Sequence, residues 1–197
     1  MLLRMEHTPK TFQGPYLKGK ILIASPLIGD PRFDRSVVFM CAHGDDHAMG
    51  IIVNKPMRLR LPTLFDQLGV KSEIEVADRA VLDGGPVDRD RGFVLHSDDF
   101  EHEPATLKIS AGLALTATND VLEAMASPRP PRRSTLALGY AGWEAGQLED
   151  EIAANAWLIT EADEDLVFGE SHEEKWAAAL RKIGVNPEHL TGASGHA

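Results

Sequence analysis

Cysteine and long apolar stretches are scarce in this chain of 197 residues. The one cysteine, Cys41, cannot form an intramolecular disulfide, so a disulfide-stapled secreted scaffold is excluded. The apolar runs, such as Val37 to Ala42, are far shorter than the ~20 residues of a membrane-spanning helix. The segment from Met1 to His7 also lacks the apolar core of a secretory signal. We therefore expect a cytoplasmic protein that does not cross a membrane.

Lysine and arginine are missing from one long segment. Between Glu144 and Glu174 the chain has eleven acidic residues and neither a lysine nor an arginine, within a formal net charge of -10. DNA binding depends on basic side chains that neutralise phosphates, so this segment should repel a duplex. A solvated acidic face that keeps the protein soluble is the favoured interpretation. Direct binding of nucleic acid is not expected.

Familiar catalytic motifs are absent as well. The sequence contains neither a Gly-x-Ser-x-Gly elbow nor a His-Glu-x-x-His pair. Gly84-Gly85-Pro86 follows a predicted strand, but it lacks the Lys-Ser/Thr of a Walker motif and the spacing of a dinucleotide site. A rigid turn is favoured there, and no cofactor is expected.

The composition is that of an ordinary globular protein, with 43% hydrophobic and 25% charged residues. The length fits one domain, which we place at residues 17–197. Residues 1–16 mix polar residues with proline and glycine and show no period, so they predict a loosely held arm.

Hydrophobic spacing and turn residues predict the regular elements. The predicted strands are 20–24, 36–42, 48–54, 80–83, 92–96, 106–110, 113–116, 135–140, 157–160 and 166–168, and the predicted helices are 61–69, 118–126, 146–155 and 173–183. Strands 36–42 and 48–54 are apolar nearly throughout, which places them at the centre of a sheet. Thr118 or Asn119 is expected to cap its helix through a side-chain oxygen.

Glycine-marked signatures recur where predicted strands end. They are Gly50-Ile51-Ile52-Val53-Asn54-Lys55-Pro56, Gly84-Gly85-Pro86-Val87 with Arg91-Gly92-Phe93-Val94-Leu95-His96, Gly139-Tyr140-Ala141-Gly142-Trp143 with Gly146-Gln147-Leu148-Glu149, and Gly195-His196-Ala197. Phe33-Asp34-Arg35-Ser36-Val37-Val38-Phe39, Cys41, Ala48-Met49-Gly50 and Asp120-Val121-Leu122-Glu123-Ala124 complete the set. With these ordered motifs the chain resembles the YqgE/AlgH family from about Leu17 to Ala197.

The resemblance implies a fold and a label. The implied fold is α+β, or mixed α/β: a single domain with a mixed, forked sheet that is curled toward a pseudo-barrel and flanked by helices. A strict βαβ alternation is absent from the predicted elements, so a doubly wound parallel sheet is not expected. The family carries the label of transcriptional regulator without an agreed biochemical activity.

Two acidic and histidine-rich segments could bind a metal. His43, Asp45, Asp46 and His47 lie within five residues, and His96, Asp98, Asp99, His102 and Glu103 form a similar mixture. Ordinary turn chemistry is the favoured interpretation for both, because a hairpin tip is solvated and no further anchoring element can be named. No metal site is predicted.

Cys41 has two interpretations. As a nucleophile it would use His43, which lies on the same face of a strand. As a small buried hydrophobe it would pack in a central strand, and this interpretation is favoured because free cysteine is among the most buried residue types.

A set of polar or amphipathic residues lies at strand ends, where pockets tend to form. The ligand-binding candidates are Asn54, Lys55, Arg91, His96, Trp143, Gln147 and Asn155. If they converge, Arg91 and Lys55 could hold an anionic group, while Asn54 and Gln147 set hydrogen-bond specificity. The competing and favoured interpretation is that they cap strands and satisfy buried backbone groups.

Three functions compete. The favoured one is a non-enzymatic binding or regulatory module that acts through a small ligand or a protein partner. The alternative is an enzyme with an unrecognised active site that uses His96 or Cys41 near Arg91. Regulation by direct DNA contact is disfavoured, because the helix at 173–183 opens with two glutamates and the one arginine cluster, at 129–133, lies in a proline-rich loop.

Overall fold

The computed structural model describes residues 16–191. The predicted arm, apart from Tyr16, and the signature Gly195-His196-Ala197 lie outside the described residues. Residues 16–191 form ten strands and six α-helices. The strands are β1 (Lys20–Ala24), β2 (Val37–His43), β3 (His47–Ile52), β4 (Pro56–Arg60), β5 (Ala80–Asp83), β6 (Val87–Ser97), β7 (Thr106–Ser110), β8 (Leu113–Thr116), β9 (Ser134–Glu144) and β10 (Trp157–Glu161). The helices are α1 (Leu61–Leu68), α2 (Asn119–Met125), α3 (Gln147–Ala153), α4 (Glu164–Phe168), α5 (Lys175–Lys182) and α6 (Pro187–Thr191).

The strands form one curled, forked sheet, as predicted. Its main path runs β10-β1-β2-β3-β9-β6-β8-β7, and β4 and β5 branch off it. All pairs are antiparallel except β5 with β9, which makes the sheet mixed. The fork lies at β9: one edge pairs with β6, and the other pairs with β5 at Ala137 and with β3 from Ala141 onward.

The Gly84-Gly85-Pro86 segment carries the chain from one edge of β9 to the other. Strand β5, which ends at Asp83, pairs with one edge of β9, and strand β6, which begins at Val87, pairs with the opposite edge. The three residues between them must therefore pass over the β9 backbone. They pass over Gly139 and Tyr140, and the Gly84 N–H donates to the Leu138 carbonyl at 2.8 Å. A Cβ on Gly84 would overlap the Gly139 carbonyl, so only glycine fits at the crossing.

The central strands β2 and β3 bury both faces, as the sequence predicts. Val37, Phe39 and Cys41 of β2 pack on one face with α4 and α5. The alternate residues Val38 and Met40 pack on the other face with α3 and the indole side chains. Strand residues alternate between faces, so a continuous apolar run fits a strand covered on both sides.

A third apolar cluster lies under α1 and α2. Leu64 and Phe65 of α1 and Val121 and Leu122 of α2 cover Val94 of β6 together with part of β9. α1 ends, as predicted, at Gly69, whose φ of +69° lets the chain leave the helix.

Two local predictions are wrong. The segment 166–168 is part of helix α4, because the Asp163 carboxylate accepts from the Leu166 N–H at 2.8 Å and starts a helix. Thr118 lies at the cap position of α2 but its side chain forms no capping hydrogen bond within the described structure. Among residues 16–191 no helix is long and apolar enough to span a membrane.

Candidate functional site

The seven candidate residues occupy separate places in the fold. Arg91 borders a pocket beneath α1 and α2, whereas Asn54 and Lys55 line a cleft against the C-terminal helices. Trp143 and Gln147 meet at α3 on the other face of the sheet. His96 is buried within the sheet, and Asn155 ends the α3 turn.

The pocket that Arg91 borders, here called the Arg91 pocket, has a volume of about 430 Å³. Its floor is the sheet, and its walls are the two helices of the third apolar cluster. The apolar lining residues are Leu59, Leu64, Leu68, Val94, Ala117, Val121, Leu122, Leu136 and Leu138. Leu68 lies at the rim, where its side chain is 55% exposed. The pocket is thus an apolar cavity open at one side.

Polar and charged groups border this apolar cavity. Arg89, Asp90 and Arg91 come from the irregular start of β6, and Gln67 and Asn119 come from the helices. Arg89 pairs with Asp83 at 3.1 Å, and the Arg91 guanidinium lies 5.2 Å from the centre of the Phe93 ring. Among residues 16–191 no carboxylate lies within ion-pair distance of Arg91, so its guanidinium can receive an anionic group of a ligand.

His96 is a fully satisfied core residue behind the pocket wall. Its Nδ1 lies 2.8 Å from the Ser97 carbonyl, which can only accept, so Nδ1 carries the proton. Nε2 therefore accepts from the Thr116 hydroxyl at 2.8 Å, and that hydroxyl accepts in turn from Thr106. Burial lowers the pKa of His96, which fits this neutral form. Both ring nitrogens are engaged, so His96 is not placed to act as a base.

The neutral His96 predicts a pH dependence of stability. The native state favours the uncharged ring, so its pKa lies below the unfolded value of about 6.5. At pH values between the native pKa and about 6.5, the unfolded chain therefore binds more protons at this histidine than the folded chain does. The stability that neutral His96 contributes is thus fully present above pH ~6.5 and is lost as the pH falls toward the native pKa. We expect the loss of unfolding free energy in His96→Gln to be larger at pH 7.5 than at pH 5, measured by urea unfolding. An equal loss at both pH values would contradict it.

Cys41 is also buried with no access to solvent. Burial raises the pKa of its thiol to about 12, and Sγ lies 3.6 Å from the Phe39 carbonyl. The nearby His43 is bound on both sides, since Leu17 N–H donates to Nδ1 at 2.9 Å and Nε2 donates to Glu149 at 2.6 Å. The thiol is therefore packed as a hydrophobe, which was the favoured interpretation.

The two acidic and histidine-rich segments are used in local contacts. Asp45 accepts from the Tyr16 hydroxyl, His47 contacts Asp46 at 2.9 Å, and Asp99 accepts from Ser97 and from the Arg132 N–H. Within residues 16–191 no three His, Cys, Asp or Glu side chains are grouped as metal ligands.

Glu151 of α3 holds two indole rings. One carboxylate oxygen accepts from Trp143 Nε1 at 2.9 Å and from Trp157 Nε1 at 2.8 Å, and the other accepts from Gln147 at 3.0 Å. The two rings meet edge to face, with centroids 5.9 Å apart. Trp143 and Gln147 are thus structural here. The sequence reasoning missed Glu151, although it lies four residues after Gln147, on the same helix face.

Asn155, with a φ of +57°, is the left-handed residue that ends α3. Its carbonyl accepts from the Ser25 hydroxyl at 2.6 Å. Asparagine tolerates this conformation better than most residues, so Asn155 serves the turn.

Asn54 and Lys55 hold the loop before β2. Asn54 accepts from the Val37 N–H at 2.8 Å and donates to the Arg35 carbonyl at 2.8 Å, and Lys55 donates to the Arg32 carbonyl at 3.1 Å. Arg35 has a φ of +50°, a conformation that costs a non-glycine residue about 1–2 kcal/mol. The role of Arg35 was not predicted, because a positive φ at arginine leaves no mark in a sequence.

The fold and these sites define a single-domain α+β protein with a curled, forked sheet flanked by helices. The AlgH-like family model (DUF179) matches residues 21–188. A UPF0301 protein of Caulobacter vibrioides is 53% identical over 186 residues, which cover 93% of this chain and 95% of the relative. A UPF0301 protein of Bradyrhizobium diazoefficiens is 53% identical over 190 residues, covering 92% and 89%. The chain belongs to the AlgH-like family, which confirms the predicted resemblance.

Solved structures show the same fold. The solution structure of the AlgH protein from Pseudomonas aeruginosa matches with a TM-score of 0.74 and 40% identity, covering 95% of this chain and 100% of that one. A Corynebacterium diphtheriae protein matches with a TM-score of 0.66 at 16% identity, covering 87% and 89%, which shows the fold alone.

Proposed function

We propose that this chain is a non-enzymatic binding module of the cytosol, which takes a small amphipathic anion in the Arg91 pocket. The observation that carries the proposal is an apolar cavity of about 430 Å³ bordered by two arginines. Small-molecule sites are commonly concave, mostly apolar and about 300–1,000 Å³ in volume. Burial of the ligand's apolar part would supply most of the affinity.

The border of the pocket favours an anionic head group. Arg89 is paired with Asp83, whereas Arg91 has no carboxylate within ion-pair distance among residues 16–191, so the Arg91 guanidinium is the group that can receive an anion. Arginine binds carboxylates through paired N–H donors, so a fatty-acid-like carboxylate fits the combination of rim and floor.

The buried groups support binding rather than catalysis. His96 has both nitrogens engaged, and Cys41 is inaccessible with a raised thiol pKa. Neither side chain lines the Arg91 pocket. The enzyme alternative predicts a pocket into which at least two of His96, Cys41 and Arg91 point, and the Arg91 pocket is lined by Arg91 alone of the three, which favours the binding module.

A regulatory role would act through a protein partner. The acidic segment disfavours a duplex, and α5 begins next to two glutamates in the turn that precedes it. We therefore propose that occupancy of the pocket is what a partner would sense.

Calorimetric titration with decanoate tests the proposed function. We expect a Kd on the order of 10–100 µM, with weaker binding of decanol and no binding of decyltrimethylammonium. Leu138→Trp fills the pocket from β9 and should weaken decanoate binding at least about tenfold. Leu107→Trp is the matched control, since Leu107 is an exposed β7 residue outside the pocket lining.

A second variant separates weaker decanoate binding caused by a filled pocket from weaker binding caused by a disturbed core. Gln67→Trp places the indole at the exposed rim of the same pocket, where it does not disturb the core. The proposal would be contradicted if decanoate bound Leu138→Trp and Gln67→Trp as tightly as the unaltered protein. Equal affinity for decanoate, decanol and decyltrimethylammonium would contradict it as well.

A further inference from the structure

A second concavity lies between the loop before β2 and the C-terminal helices. We call it the Arg35 cleft, and its volume is about 590 Å³. One wall carries Arg35, Asn54 and Lys55, and the other carries Glu173, Trp176 and Glu188. None of these side chains borders the Arg91 pocket, so the two sites are separate.

Arg35 is held in an unfavourable backbone conformation by its neighbours. Its φ is +50°, and Asn54 fixes the loop on both sides through the Arg35 carbonyl and the Val37 N–H. A residue held in such a conformation by several contacts is a common feature of binding sites, because the geometry is maintained against its own preference.

The Arg35 guanidinium stacks on an aromatic ring that is itself fixed. Its Cζ lies 5.1 Å from the centre of the Trp176 ring, and Trp176 Nε1 donates to the Ala24 carbonyl at 2.8 Å. Within residues 16–191 no carboxylate lies within ion-pair distance of Arg35, and its guanidinium donates no hydrogen bond to another described residue. Stacking leaves the edges of the guanidinium fork for a ligand carboxylate.

The charges on the two walls differ in sign. Arg35 and Lys55 are cationic, whereas Glu173 and Glu188 are anionic, and Asp34 adds a third carboxylate at the edge. A ligand of one charge sign would match one wall and be repelled by the other. A small dipolar molecule can match both walls.

We propose that the Arg35 cleft binds a small zwitterion of the amino-acid class. Its carboxylate pairs with the Arg35 fork and lies near Lys55, and its ammonium group faces Glu173. Asn54 keeps Arg35 in place and acts as a positioning residue. The cleft is larger than one amino acid, so it admits a side chain of any size or a dipeptide.

Amide NMR titration with the individual amino acids tests this inference. We expect at least one to shift the amides of residues 34–35, 54–55 and 176–177 saturably, with a roughly millimolar Kd, and acetate and methylammonium to bind at least about tenfold more weakly. Arg35→Asn should abolish the shifts while the melting temperature changes by less than about 3 °C, because asparagine accepts a positive φ. Arg129→Gln, in the exposed proline-rich loop, is the matched control for loss of one arginine.

Several results would overturn the inference. These are the absence of saturable shifts at the cleft with any of the amino acids, equal affinity for acetate, or unchanged binding in Arg35→Asn. Leu138→Trp should leave amino-acid binding intact, and Arg35→Asn should leave decanoate binding intact. The failure of one site is therefore distinguishable from the failure of the other.

Discussion

Gly139→Ala is expected to lower the unfolding free energy by more than about 4 kcal/mol, which is enough to prevent stable folding of many small domains. Gly139 has a φ of +75°, and an added Cβ would overlap the Gly85 carbonyl oxygen and lie 3.0 Å from that of Val87. Both obstacles are backbone oxygens, one in the Gly84-Gly85-Pro86 segment and one at the start of β6, so they cannot rotate away as a side chain could. The fork of the sheet would have to open.

Gly112→Ala separates this clash from backbone strain. Gly112 has a similar φ of +82°, but nothing lies within 4 Å of the added Cβ. This variant should lose only about 1–2 kcal/mol, the usual cost of a left-handed conformation. Urea unfolding followed by circular dichroism measures both, and equal losses in the two variants would show that the crossing is not tight.

Glu151→Ala should cost about 2–4 kcal/mol, because the two buried indole N–H groups lose their shared acceptor. Glu151→Gln keeps an oxygen that can accept, so its loss should be nearer 1 kcal/mol. Tryptophan fluorescence during urea unfolding reports both the stability and the native environment of the rings.

Asp150→Ala is the control for Glu151→Ala. Asp150 is exposed on the same helix and, among residues 16–191, its side chain forms no ion pair. We expect a change within about 0.5 kcal/mol. If Glu151→Ala and Asp150→Ala had equal effects, the carboxylate would not hold the indoles as the contacts indicate.

The elements with a strong period were predictable from the sequence. β2 and β3 are apolar on both faces, and α1 shows helical spacing with a terminal glycine, so local pattern and burial agree. The run at 166–168 was too short to distinguish a strand from a helix, and the acidic cap before it decided the outcome. The crossing over β9 could not be predicted, because it depends on which strand edges pair far along the chain.

The candidate site was predictable only in part. Arg91 was singled out and does border a pocket, but the walls come from α1 and α2, whose spacing in the fold no local pattern encodes. For Asn54 and Lys55 the sequence leaves open a ligand contact or a bond to the backbone, with the backbone bond favoured, and both side chains bond to the loop that presents Arg35. Polar residues at strand ends serve the backbone as readily as a ligand, and only their partners distinguish the two roles.

Methyl NMR of the protein titrated with decanoate is the most direct measurement of the central claim. Binding in the Arg91 pocket predicts saturable shifts of the methyl groups of Leu64, Val94 and Leu136, which line its floor and wall. The methyl groups of Val38, buried in the cluster on the other side of the sheet, should stay unchanged. Saturable shifts confined to other parts of the protein, or none at concentrations well above the expected Kd, would contradict the claim that this pocket is the binding site.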